Sequence, residues 1–127
     1  MSQTTVLIAD DEMEFASTLA ERLRIRGYNA KSVYCAEDAI AFVRDNSPDV
    51  MLLDLRMPRM NGIQVLKTIR QFNESIQVIL LTGLGDSQER TEGIESGAFD
   101  FMMKPMDIEK IIMKINEAKN IKSEKEV

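Results

Sequence analysis

Four apolar runs in this chain each end on a residue able to do chemistry. Asp54 closes the run Asp49-Val-Met-Leu-Leu-Asp54, and Asp10 and Asp11 follow Val6-Leu-Ile-Ala9. Thr82 follows Val78-Ile-Leu-Leu81, and Lys104 follows Phe99-Asp-Phe-Met-Met103. Each run reads as a short buried strand, and in an open parallel α/β sheet the ligand crevice lies outside the carboxyl ends of the strands. If the four runs are parallel, three carboxylates, a hydroxyl and an ammonium converge on one place. Like carboxylates brought together repel unless a cation sits among them. A hard divalent ion that accepts oxygen ligands, Mg²⁺ for choice, meets that need, with the backbone carbonyl of Arg56 as a further oxygen. A carboxylate such as Asp54 can attack phosphorus and form an aspartyl phosphate, while Thr82 and Lys104 supply a hydroxyl and a point charge for phosphoryl oxygens.

Each of these residues has a plainer reading when taken singly. Asp10 and Asp11, with Glu12 beside them, would favour a helix N-terminus by about 0.3–1 kcal/mol. Asp54 would be a solvated strand end, Thr82 a strand or cap residue, Lys104 a surface charge and Phe101 core packing. The loop Leu55-Arg-Met-Pro-Arg-Met-Asn-Gly62 counts against the plain reading of Asp54, because Pro58 and Gly62 fix an irregular path that is expected to leave the carboxylate exposed above the sheet. Lys104 precedes Pro105, and a cis bond there would turn the chain sharply and hold the ammonium over the site.

The elements that must position these groups alternate along the chain. Residues 13–26 carry an apolar stripe at Ala16, Leu19, Ala20 and Leu23, with Gly27 as the stop. Residues 28–33 form a more polar strand suited to a sheet edge, and residues 36–46 a helix that Ser47-Pro48 ends. Asn61 is placed to cap a helix over 62–72. Residues 86–96 read as a fourth helix with one large apolar residue, Ile94, and an interior Gly93 that costs roughly 1 kcal/mol against Ala. It is expected to be the least stable element. Residues 108–120 form the last helix, with a stripe of Ile108, Ile111, Ile112 and Ile115, and residues 121–127 are a charged tail. Five βα units imply right-handed crossovers and a doubly wound parallel sheet. A polar second strand at the edge gives the order 2-1-3-4-5, with Asp10, Asp11 and Asp54 at the switch point.

The bulk properties narrow the function. At 127 residues the chain holds one domain, read as 1–127 with a core over about 4–120. A net charge of −5 and no cluster of Lys and Arg argue against direct nucleic-acid binding. No apolar run nears the roughly 18 residues that span a bilayer, and the N-terminus has no signal-peptide pattern. One cysteine, Cys35, fits a reducing cytoplasm. The chain has no histidine, so any phosphohistidine in the reaction belongs to a partner. The nine methionines read as adaptable core filler, with Met57, Met60, Met102 and Met106 candidates for a partner-binding rim.

The ordered set Asp10-Asp11, Asp54-Leu-Arg-Met-Pro-Arg-Met-Asn-Gly62, Thr82-Gly83, Gly97-Ala98-Phe-Asp-Phe101 and Lys104-Pro105 resembles the receiver domain of bacterial response regulators over roughly residues 4–120. The resemblance implies a flavodoxin-like (βα)5 fold. Asp54 would be the phosphoacceptor, Asp10 and Asp11 would hold Mg²⁺ with the Arg56 carbonyl, and Thr82 and Lys104 would bind the phosphoryl group. Phe101 would turn inward as Thr82 moves. The donor would be a sensor histidine kinase or histidine phosphotransfer protein, and helix 4, strand 5 and helix 5 would form the output surface and a possible homodimer contact. Such a domain catalyses only its own phosphorylation and dephosphorylation. The stretch 82–86 is similar to receivers that precede ATPase and DNA-binding domains, so the chain is either a stand-alone receiver or one from a longer regulator. Arg90, Thr91 and Gly93 depart from the small or apolar residues usual there, and Arg56 and Leu84 stand where access of hydrolytic water is tuned. Rival chemistries fit less well. An aspartyl-phosphate hydrolase usually has a second acid where this chain has Arg56. A flavin or nucleotide carrier needs neutral donors where this chain has Asp10-Asp11-Glu12. A pseudo-receiver would lack part of the site.

Overall fold

Short apolar runs and amphipathic segments alternate through ten elements in a computed structural model that describes residues 3–83 and 86–126, with side chains of the last helix as far as Ile121. They are β1 (Thr5–Ala9), α1 (Met13–Ile25), β2 (Asn29–Val33), α2 (Ala36–Asp45), β3 (Val50–Asp54), α3 (Gly62–Arg70), β4 (Gln77–Thr82), α4 (Ser87–Glu95), β5 (Asp100–Met103) and α5 (Ile108–Glu126). The strands form one parallel sheet in the order β2-β1-β3-β4-β5, as the patterning predicts.

Side chains alternate across the sheet, so one strand feeds two cores. Leu7, Ala9, Met51, Leu53, Val78 and Leu80 pack toward α2 and α3. Val6, Ile8, Val50, Leu52, Ile79 and Leu81 pack toward α1 and α5. Burial on both faces explains why β1, β3 and β4 read as unbroken apolar runs. It also fixes the register, because a slip of one residue would exchange the two faces.

The helix ends follow their sequence signals. Gly27 takes a φ of +93° just past α1. Asn61 caps α3 through its side chain, which accepts from the Gln64 backbone at 3.0 Å, while the Gln64 side chain accepts from the Asn61 backbone at 2.9 Å. Such reciprocal capping is worth about 1 kcal/mol and sets where the loop after Asp54 must end.

Two expectations need correction. The last helix does not stop at Asn120 but runs to Glu126, through the charged tail. Ile94, the one large apolar residue of the fourth helix, is 43% exposed. The one buried residue of that helix is Gly93, where an added Cβ would strike the Leu80 side chain. The glycine that costs helix propensity is therefore what lets α4 lie close on β4. Met57 is buried in the core rather than at the rim, Met60 is partly buried against that core, and among the described residues the exposed methionines are Met13, Met103 and Met113.

Candidate functional site

Parallel pairing carries the four chemically able residues to the same edge. The sheet ladder continues past the strand ends: Asp10 N–H donates to Val33 O (3.1 Å), Leu55 N–H to Leu81 O (3.0 Å) and Lys104 N–H to Thr82 O (2.8 Å). Asp54 lies in register with Leu81, and Thr82 with Met103. The peptide before Pro105 is cis, the geometry the sequence reading named as holding the ammonium over the site.

Asp10 and Asp54 are buried, at 0% and 5% exposure, so Asp54 is not the exposed carboxylate that the loop after it suggests. The Lys104 ammonium lies 2.7 Å from Asp10 Oδ2, 2.7 Å from Glu12 Oε1 and 3.6 Å from Asp54 Oδ2. The contact to Asp10 Oδ2 is an ion pair by distance, but its alignment is not that of a hydrogen bond, so this buried oxygen retains acceptor capacity. Asp10 Oδ1 accepts the Glu12 backbone N–H at 2.9 Å, and Asp54 Oδ1 accepts that of Arg56 at 3.2 Å. Burial raises the Asp54 carboxyl to about 7, and the neighbouring Asp10 adds to the rise. The Arg56 N–H and the Lys104 charge only partly oppose it. Burial acts to lower Lys104, but the close Asp10 and Glu12 carboxylates and the charge of Asp54 overcome it and raise the ammonium above its ordinary value.

The donor set fits a hard cation. Asp10, Glu12 and Asp54 each offer a carboxylate oxygen, and these three oxygens lie within 4.8 Å of one another. Such oxygens suit a small divalent ion, and a second positive charge would relieve a carboxylate that burial is pushing toward its neutral form. The third member of this cluster is Glu12, not Asp11. Asp11 is exposed and lines an adjoining cavity of about 390 Å³ with Arg56, Met57, Asn61 and Glu89. The sequence reading treated Glu12 as part of an acidic turn and did not give it a contact.

The remaining expected residues stand around this centre. Thr82 is buried, and its hydroxyl donates to the Met102 carbonyl at 3.3 Å. Phe101 is half-buried against the core beside α3, with the Arg90 guanidinium 5.0 Å from its ring centre. Arg56 stands two residues after Asp54, and its side chain turns away to Asp86 and to Glu89, 3.5 Å off. Leu84 lies outside the described residues.

Asp86 was missed by sequence reasoning. It occupies the residue before α4 yet makes no capping bond. Instead, its 2%-exposed carboxylate accepts from Gly83 N–H at 2.7 Å and pairs with Arg56. Burial works against its charge, but Arg56 and Gly83 outweigh it and hold the carboxyl below its usual range. Only the capping-type residue at the start of a helical pattern hinted at it. This pair ties the loop after Asp54 to the start of α4.

The raised Asp54 carboxyl carries a stability consequence in metal-free protein. Folded Asp54 holds its proton up to about pH 7, whereas unfolded it titrates near 3.8. Proton binding then favours the folded state, so a penalty absent below pH 4 grows as pH rises and is complete above pH 7. Asp54→Asn should stabilise the chelator-treated protein by something on the order of 3 kcal/mol at pH 8 and by little at pH 4. Urea unfolding at the two pH values checks this, and an equal effect at both would contradict it.

Comparison with known proteins agrees with this geometry. A family model described as the response regulator receiver domain matches residues 6–116. The transcriptional regulatory protein CpxR of Escherichia coli K12 is 37% identical over 110 residues, covering 87% of this chain and 47% of that protein. The transcriptional regulatory protein ZraR of Salmonella typhimurium is 34% identical over 106 residues, covering 84% of this chain and 24% of its own length. The chain thus spans between about a quarter and a half of these relatives. Among solved structures, the receiver domain of the Francisella response regulator 1452 superposes with a TM-score of 0.85 at 29% identity, covering 93% of this chain and 98% of that one. A response regulator receiver domain protein from Clostridium thermocellum gives a TM-score of 0.90 at 28% identity, covering 94% and 97%.

Proposed function

Because this chain belongs to the response regulator receiver domain family of two-component signalling, we propose that Asp54 takes a phosphoryl group from a partner's phosphohistidine. The carboxylate Oδ forms the new bond to phosphorus as the bond from phosphorus to the imidazole nitrogen breaks, and the imidazole keeps that electron pair. The meeting of Asp54 with Asp10 and Lys104 at three strand ends is the observation that carries this reading. Asp10 and Asp54, with Glu12 or the nearby Asp11, would hold Mg²⁺. Bound there, the ion would offset negative charge on the nucleophile and on the phosphoryl oxygens.

The residues around the centre then act as a switch. The Thr82 hydroxyl leaves Met102 O for a phosphoryl oxygen, Phe101 turns inward from beneath Arg90, and α4 shifts. The side-chain ties of α4 are few. Arg56 reaches Asp86 just before the helix and Glu89 within it, Lys67 meets Glu92 at 3.0 Å between exposed side chains, and Arg90 covers Phe101. Exposed pairs are worth about 0–1 kcal/mol each, small against the roughly 5.5 kcal/mol that carries a two-state equilibrium from 1:99 to 99:1. The protein alters only its own aspartate and turns over no outside substrate. The donor is a sensor histidine kinase or a histidine phosphotransfer protein, the α4-β5-α5 face is the output and possible homodimer surface, and the site of action is the cytoplasm. No described helix is long and apolar enough to cross a membrane.

Intact-mass measurement after incubation with acetyl phosphate tests the reading. It predicts a gain of one phosphoryl group with Mg²⁺ and none with chelator, and no gain in either would overturn it. The two cationic roles are separable. Lys104→Ala should bind Mg²⁺ at least as tightly as the unsubstituted protein, because a competing cation has left the cluster, yet respond poorly to phosphorylation. A loss of Mg²⁺ affinity comparable to that of Asp10→Ala would contradict this division.

A further inference from the structure

Glu12 stands directly before α1, where a carboxylate often caps the first turn, yet it makes no side-chain cap. Its carboxylate instead reaches a residue 92 positions away and accepts from the Lys104 ammonium at 2.7 Å. That ammonium has three protons to give. Asp10 and Glu12 stand at 2.7 Å, Asp54 is beyond hydrogen-bond range at 3.6 Å, and the Phe15 ring lies beneath at 4.8 Å from its centre. A phosphoryl group on Asp54 must therefore win a place on an ammonium that two carboxylates already engage. Asp10 is fully buried and cannot withdraw to solvent, whereas the Glu12 side chain is 66% exposed and can.

We propose that Glu12 is a positioning residue: it holds Lys104 in the site before phosphorylation and competes with the phosphoryl group for the same ammonium afterwards. The inference rests on the phosphoacceptor reading of Asp54. It assigns Glu12 the affinity of the site for phosphoryl oxygens, and it separates this from any contribution to cation binding. Two substitutions divide contact from charge. Glu12→Gln removes the charge, while Glu12→Asp keeps it on a side chain one methylene shorter, which no longer spans the gap to Lys104.

The test is calorimetric titration of the full chain with beryllofluoride at saturating Mg²⁺. If Glu12 competes by contact, both variants should bind the mimic about fivefold more tightly, the upper end of what an exposed ion pair contributes. In a Lys104→Gln background, Glu12→Gln should then change nothing, because the contact it relieves is gone. Equal affinities for unsubstituted and variant proteins would overturn the proposal while leaving the phosphoacceptor reading intact. So would tightening by Glu12→Gln alone, which marks general charge repulsion, or a Glu12→Gln effect that persists without Lys104. Failure of the unsubstituted protein to bind beryllofluoride would overturn both readings.

Discussion

Asp54→Ala should abolish phosphoryl uptake from acetyl phosphate, with no gain in intact mass under conditions that fully modify the unsubstituted protein. The carboxylate is the nucleophile in this account, and alanine has nothing to put in its place. The fold should survive. Asp54 is buried beside Asp10 and is driven toward its neutral form by that burial, so its ionised side chain stabilises the native state little. With the methyl group in its place, Asp10 and Glu12 still balance Lys104. Circular dichroism and a melting temperature at or above that of the parent check the fold. Uptake retained at the parent rate would show that the acceptor lies elsewhere, with exposed Asp11 and Glu12 next in line.

Gly62→Ala should destabilise the protein by about 3 kcal/mol, the upper part of the range for a group forced into filled space. The glycine opens α3 directly beneath the site. A Cβ there would come within 2.6 Å of the Asp54 carbonyl oxygen and 2.9 Å of the Leu55 Cα. Both are backbone atoms at the end of a buried strand and have nowhere to go, and the Gly62 N–H donates to Leu55 O at 3.0 Å. Gly93→Ala makes the instructive contrast. Its new Cβ meets the end of the Leu80 side chain, which can rotate, and alanine returns about 1 kcal/mol of helix propensity. A net cost of about 1 kcal/mol or less is expected there. Equal losses at the two positions in urea unfolding would contradict the distinction between backbone and side-chain obstruction.

The sequence reading recovered the sheet because both faces of β1, β3 and β4 are buried, which leaves continuous apolar runs ending on polar residues. The more polar β2 marked the edge, and the two together gave the order. Asp10, Asp54 and Lys104 followed from that order alone. What escaped depends on reach rather than position. Asp11 and Glu12 sit side by side in an acidic turn, and no periodicity tells which carboxylate swings toward Lys104. Asp86 has the residue type of a helix cap and uses its carboxylate for Arg56 and Gly83 instead. Gly93 packs by having no side chain, which leaves no apolar signal to read. The last seven residues carry no apolar stripe, so the extension of α5 to Glu126 was invisible.

The proposed function stands on the coupling of chemistry at Asp54 to α4 through Thr82 and Phe101. An amide NMR spectrum in Mg²⁺, before and after beryllofluoride, tests it most directly. Shifts beginning around Asp54 and Thr82 and spreading to Phe101 and the residues of α4 are the predicted result. Shifts confined to the ends of β1, β3 and β4 would contradict it, leaving a site that binds the mimic with no switch attached.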